Sequence, residues 1–488
     1  VSIVNMKFHE VQSHVIVSNH AYLGYAFVFS KSILEALPAD LQIILKTTAR
    51  ELTPWQREET VRREKGFLDA IRASGTTVTE LTEAERLQFR TASEGLIEHY
   101  RDIIGGELLD ITDQWLKKQQ PPAAEEAIVI GLDADMSLGS APSGIAIRRG
   151  MELAVEEINR GGGVLGRPLS IMVKDHGGIS ARGIANLQAF ERTKNLVAVM
   201  GGLHSPVALS ELETVHKHRL IYLDPWAAAT SIVDNGYQPN YVFRISVRDE
   251  YAGGFLVEEA LKRYSRVALL LENTGWGRSN RKAMTKSLAL HGLSPVAVEW
   301  FNWGEPDMTP PLTRIENAGA DVILMVANAP EGAAIVNSMA ERPIRLPIIA
   351  HWGITGGYFW QNTKEALKQV DLKVLQTFSF LTRDEALPRT LIQRYAENYR
   401  IGHPGEIFSP VGTAHAYDLI HLLAIAIAKA GTTDRSSVRT ALEQISSYQG
   451  LLKHYHPPFT QERHDALDKH DFILATYNDK GYIVPIDQ

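Results

Sequence analysis

Trp226, Trp276 and Trp352 carry the clearest chemical signal in this chain. Trp226 closes Leu223-Asp-Pro-Trp, Trp276 lies in Glu272-Asn-Thr-Gly-Trp-Gly-Arg278, and Trp352 lies in Ala350-His-Trp-Gly-Ile-Thr-Gly-Gly357. Each directly follows an apolar run and falls in a Gly- or Pro-marked loop, so all three can face one cleft. A core tryptophan is more often inside an element than just past its end. Clustered indoles favour flat or cationic groups through stacking and cation–π attraction. Gly201-Gly-Leu-His-Ser-Pro206 adds a second signal. Ser205 stands where an N-cap belongs and Pro206 suits the first helical position before Val207 to His218. That leaves backbone N–H groups and a hydroxyl as a seat for an anion, or simply a capped helix.

Other candidate chemistry is weaker. Gly161-Gly-Gly-Val-Leu-Gly166 matches G-x-G-x-x-G but follows a helix and precedes a strand, the reverse of a dinucleotide fingerprint. His216-Lys-His218 and His454-Tyr-His456 could each put two rings on one strand face, yet no acid at ligand spacing completes a metal site. Asp133 and Asp135 have no recognisable partner acid, so a paired-carboxylate hydrolase is unsupported. No cofactor, metal or catalytic residue is expected.

The elements that must position the tryptophans alternate strand and helix. Strands are expected at Ile128 to Leu132, Leu169 to Asp175, Leu196 to Gly201, Arg219 to Leu223, Val267 to Leu271, Pro295 to Trp300, Val322 to Val326 and Leu346 to Ala350. Helices are expected from Ile145 to Asn159 and from Gly412 to Ala430, before a strand-rich tail at Asp471 to Ile483. Such alternation predicts parallel sheets covered on both faces, with ligands outside the carboxyl ends of the strands.

The 488 residues are 44% hydrophobic and 22% charged, the composition of an ordinary soluble globular protein. A net charge of −7 argues against nucleic acid as a partner. The apolar run Leu419 to Ala430 is too short to span a bilayer, so no transmembrane helix is expected. Zero cysteines exclude a disulfide framework and a thiolate site. Starting at Val1 with no leader pattern, the chain is either processed or part of a longer one.

The first 118 residues form a separate, mainly helical unit. Val11 to Ser30 read as strand-like; a long helix starts near Leu37 with Pro38 at its first helical position, is kinked at Pro54 and ends near Ser74. Thr82 with Glu85 makes a capping box, helices continue to Lys118, and residues 119–126 read as a linker. Ser18-Asn-His-Ala-Tyr-Leu-Gly-Tyr25, Leu37-Pro-Ala-Asp-Leu-Gln42 and Glu80-Leu-Thr-Glu-Ala-Glu-Arg86 resemble the C-terminal part of the DctP-like solute-binding subunits of TRAP transporters. That resemblance implies a long bracing helix without the family's carboxylate-binding portion; Asn19 and His20 could line a remnant cleft or cap a strand.

From 127 to 488 the chain resembles the LivJ-like type I solute-binding proteins of branched-chain amino-acid and amide ABC transporters. The resemblance rests on Gly150-Met-Glu-Leu-Ala-Val-Glu-Glu-Ile-Asn159, Gly161 to Leu169, Asp175, Gly201-Gly-Leu-His-Ser205, Tyr241-Val-Phe-Arg244, Asp249 and the Gly450 to Leu467 segment. It implies an α/β, bilobal type I periplasmic-binding-protein fold, two parallel-sheet lobes joined by a hinge: lobe 1 at about 127–248 and 379–455, lobe 2 at about 249–378 and 456–488. It implies ligand contacts from His204, Ser205, Trp226, Ala227, Ala228, Trp276, Asn328, Trp352 and Asp249. Trp352 falls where an amino-acid binder would place Glu, so a standard branched-chain amino acid is doubtful, and Asp249 and Arg248 are the charges that could rescue a zwitterion. The expected role is periplasmic capture of an amino-acid-like, amide or aromatic carboxylate solute by a non-enzymatic monomer. It would serve an inner-membrane ABC permease, or a TRAP permease. The alternative is a ligand sensor for a regulatory partner.

Overall fold

The computed structural model describes residues 127–486 continuously, and before them 7–18, 28–81 and the single positions 4, 85, 88, 92, 100 and 105. Asn19 and His20, the Thr82 capping box, the helices expected up to Lys118 and the 119–126 linker fall wholly or mostly outside the described residues. The chain divides into two compact units, Val1–Gln119 and Gln120–Gln488.

In the first unit, strand β1 (His14–Val17) pairs in parallel with β2 (Thr77–Glu80), joined through the helix Ala39–Ala73. Pro38 is the cap before that helix rather than its first residue, and the helix continues through Pro54 as one 35-residue element. It stops at Ser74, where Gly75 adopts φ +89°. A positive φ is nearly free only for glycine.

In the second unit, five strands form an all-parallel sheet: β3 (Ile128–Ala134), β4 (Leu169–Asp175), β5 (Leu196–Met200), β6 (Ile221–Asp224) and β7 (Val242–Arg244). Their order is β4-β3-β5-β6-β7. A second sheet repeats the pattern with β8 (Val267–Glu272), β9 (Ala297–Phe301), β10 (Val322–Val326), β11 (Ile348–Ala350) and β12 (Leu372–Gln376), then adds β15 (Ile473–Tyr477) and β16 (Ile483–Pro485) antiparallel at one edge. A short ribbon, β13 (Tyr448–Gln449) and β14 (His454–Tyr455), lies between them in sequence. Strands β3, β5, β6, β8 and β10 are buried at every residue, as unbroken apolar runs demand when helices cover both faces.

The helix Pro410–Ala430 belongs to the first lobe, although it lies between elements of the second sheet in sequence. It packs on Ala141–Arg160, with Thr413 Oγ1 donating to the Ala146 carbonyl at 3.1 Å. Gly150 makes the approach possible, since a Cβ there would collide with the Thr413 carbonyl. The helix is longer than the run Leu419 to Ala430 and is apolar enough to cross a membrane, but 83% of its most apolar window is buried inside the fold. It is a core helix. Gly161 to Gly166 is a tight turn, with Gly162, Gly163, Leu165 and Gly166 all at positive φ.

Candidate functional site

The loop after β6 is held from every side. Trp226 N–H donates to Asp224 Oδ1 (3.0 Å), Ser246 Oγ donates to the Trp226 carbonyl (2.7 Å), and His415 Nδ1 meets the Pro225 carbonyl at 2.7 Å. Arg244, fully buried at the end of β7, donates to the carbonyls of Ala227 (3.3 Å) and Ala229 (2.9 Å) while its Nε pairs with Asp465 at 2.6 Å. A buried guanidinium of this kind is tolerated because its charge is paired with Asp465 and its Nε and one terminal nitrogen are bonded, although the other terminal nitrogen is buried without a partner. The loop thereby fixes one indole, Trp226, whose Nε1 is buried without a partner.

Ser205 differs from the sequence expectation. His204 is the N-cap, Ser205 is the first helical residue and Pro206 the second, in a helix running Ser205–Lys217. The Ser205 hydroxyl accepts the amides of Ala228 (3.1 Å) and Ala229 (3.2 Å), because the β6 loop brings two unpaired N–H groups within reach. Ser205 therefore ties two loops together, and its oxygen is already engaged. Ala227 and Ala228 are buried and shaped by these bonds.

The second lobe supplies the opposite wall. Asp249 opens the helix Asp249–Leu261, with its N–H on the Ala228 carbonyl (2.9 Å). Its Oδ1 accepts Trp276 Nε1 (3.1 Å) and Asn280 Nδ2 (2.8 Å). His351 Nδ1 accepts the Trp352 amide (2.9 Å), so the ring proton sits on Nε2, 3.3 Å from the same Asp249 oxygen. Asp249 Oδ2 is buried without a partner, as are Asn280 Oδ1 and Asn328 Oδ1. Asn328 Nδ2 donates to Glu272 Oε2 (3.1 Å). Burial pushes the Glu272 carboxyl up to about 7, against hydrogen bonds from Thr274 and Trp303 that favour its charged form.

The tryptophans meet. Trp226 and Trp352, both 1% exposed, lie with ring centres 5.8 Å apart; His351 links Trp352 (6.1 Å) to Trp276 (4.9 Å). His204 sits on another flank against His176 (5.6 Å) and Trp303 (5.3 Å), and burial pushes its ring down to about 4, keeping it neutral. Arg248 faces the hinge instead, pairing with Asp234, Glu250 and Asp465.

Sequence reasoning did not select Glu272, Asn280, Trp303 or His351. Trp303 alone carried a readable signal, a tryptophan between a strand end and a glycine. Asp133 also departs from expectation: it interacts with the buried Glu211, and burial pushes it up to about 7. His216 and His218 lie at a helix end rather than on a strand, and no group of three potential metal ligands occurs among the described residues.

The profile described as "Periplasmic binding protein" matches residues 127–481. The chain belongs to the periplasmic binding protein family. As such a binding protein it works outside the cytoplasm, capturing a small solute for an ABC importer. The profile "Bacterial extracellular solute-binding protein, family 7" matches residues 1–102, so this stretch resembles that second family. The Leu/Ile/Val-binding protein BraC3 of Rhizobium johnstonii is 25% identical over 325 residues, covering 66% of this chain and 85% of its own. The type 1 periplasmic binding protein of Bordetella pertussis Tohama I superposes with a TM-score of 0.68 at 25% identity, over 74% of this chain and all of that one. An R. palustris ABC transporter solute-binding protein solved with benzoate shares the fold at a TM-score of 0.61 and 18% identity, over 74% of this chain and 95% of its own.

Proposed function

We propose that this binding protein takes a small amide or amino-acid-like solute, with its nitrogen donors toward the second lobe and an acceptor toward Trp226. The supporting observation is the excess of unpartnered buried acceptors on the second-lobe wall, Asp249 Oδ2, Asn280 Oδ1 and Asn328 Oδ1 beside the single donor His351 Nε2, with the donor Trp226 Nε1 on the first lobe, where Asp224 Oδ2 is also unpartnered. Both asparagines are oriented by Nδ2 donating to a carboxylate, so their open atoms are acceptors. A buried polar atom left unpaired costs about 1–3 kcal/mol, which a matching solute recovers. A pure acceptor such as benzoate would leave the second wall unpaired. Asp249 Oδ2 supplies the counter-charge that Trp352 does not.

The lobe boundaries proposed are 127–248 with 379–455, and 249–378 with 456–488, around a monomer working in the periplasm beside an inner-membrane ABC permease. Residues 1–118 are read as a partial TRAP-type module. An aromatic carboxylate is the second reading, supported by the Trp226, Trp276 and Trp352 array.

Calorimetric titration against leucine, acetamide, benzoate and putrescine tests this. Leucine or acetamide should bind, and Asp249→Asn should abolish that binding. Trp352→Ala should weaken binding by about tenfold or more with the fold retained, since it removes one face of the ring array. Binding of benzoate alone would overturn the donor-bearing solute.

A further inference from the structure

Trp303, outside the site as read from the sequence, reaches across the cleft. It follows β9, and its loop is anchored on two acids of the second lobe: Trp303 Nε1 donates to Glu272 Oε2 at 3.0 Å, and the Gly304 N–H donates to Glu331 Oε1 at 2.8 Å. Gly304 makes the turn at φ +76°. The Glu272 oxygen that holds Trp303 also holds Asn328, whose Oδ1 is one of the open acceptors on the cleft wall.

From this anchor the indole rests on the first lobe. Its ring centre is 5.3 Å from that of His204, and its six-membered ring comes within 3.8 Å of where a Cβ would stand on Gly178. His204 is 6% exposed, with Nδ1 unpartnered beneath this contact, while Trp303 keeps 39% of its surface in water. A large ring tied at one edge to a buried acid and seated on the other lobe at the solvent boundary is placed to close the mouth. Opening the lobes must break the His204 and Gly178 contacts, whereas the Glu272 bond lies within one lobe and survives.

We propose that Trp303 is a positioning residue that holds the cleft shut by seating on His204 and Gly178. The proposal rests on the reading that the solute lies between the lobes, and it adds what retains the solute there.

The chain contains no cysteine. Met172→Cys in the first lobe and Leu290→Cys in the second, both exposed, therefore give a spin-label pair in the full chain. Interlobe distances are measured without solute and with leucine, acetamide or benzoate in excess. Trp303→Ala should lower the ratio of short-distance to long-distance populations by about tenfold, the scale of a lost aromatic contact and its covered surface. Trp303→Phe should restore part of that ratio, because it keeps the ring on His204 and loses only the bond to Glu272; should Trp303→Ala not fold, this variant decides. Distributions identical to the parent in all four conditions would overturn the proposal. If no compound shifts the parent, the solute assignment fails while the solute-free comparison still judges Trp303.

Discussion

Asp133 and Glu211 illustrate how single residues here hold protons that water would remove. Both carboxyls are buried and interact with each other, and Tyr222 donates to Glu211 Oε2 at 2.8 Å. Asn186 donates to Asp133 at 2.8 Å, and Asp224, at the end of β6, is likewise pushed up to about 7 by burial. For Asp133 the unfolded chain loses its proton near 3.8 and the native one near 7. Between those values the native state binds more protons, so its stability falls as pH rises through the window. Burial acts oppositely on His176, His204 and His415, pushed down to about 3, 4 and 4; they cost stability as pH falls below 6.5. Above pH 7 only the acid contribution remains. Glu211→Gln, which keeps the shape and cannot ionise, should therefore raise the thermal midpoint at pH 8 by about 2–4 °C and leave it nearly unchanged at pH 4. An equal shift at both pH values in calorimetry would assign the change to packing rather than to the proton.

At the scale of elements, the strands were readable where burial on both faces leaves an unbroken apolar run, as in β3, β8 and β10. The three-residue β7, within Tyr241-Val-Phe-Arg244, is too short to show a period in sequence. Strand β12 is hidden in sequence because Lys373 interrupts its apolar run. The place of the tryptophans just past strands is legible as a local property, but only Trp226 lies in a loop: Trp276 is in the first turn of the helix Gly275–Leu290 and Trp352 opens a 3-10 turn, Trp352–Gly356. Asn280, His351 and the Asp133–Glu211 pair were not legible, because each role depends on residues brought together from distant parts of the chain. The N-cap expected at Ser205 falls on His204 for the same reason: the amides that the Ser205 oxygen accepts belong to another loop. The contact of Ala141–Arg160 with Pro410–Ala430 is likewise silent in sequence, although it underlies the site. A Cβ on Gly412 would strike the Trp226 ring. Gly412→Ala should displace that indole from the cleft, weakening solute binding by about tenfold at a cost of roughly 1–3 kcal/mol in stability. Unchanged affinity in titration would show that Trp226 can be re-seated.

At the scale of the molecule, the two sheets are not completed in the order in which their residues are joined. After β12 the chain leaves the second sheet, builds helices of the first lobe, and returns only at β15, where Thr476 Oγ1 donates to the Leu372 carbonyl across 104 residues. Each doubling of such an intervening loop adds only about 0.6 kcal/mol of closure entropy, so the arrangement costs little at equilibrium. Its consequence is one of timing. During synthesis one edge of β12 waits unpaired until β15 has emerged, and such an edge is a template for pairing with another chain. Deleting residues 472–488 should therefore yield protein that sediments as aggregate, and recovery of a soluble, cooperatively melting product would contradict this. The second lobe therefore stays an unfinished sheet, open along β12, for as long as β15 and β16 are missing, however early its other strands are in place.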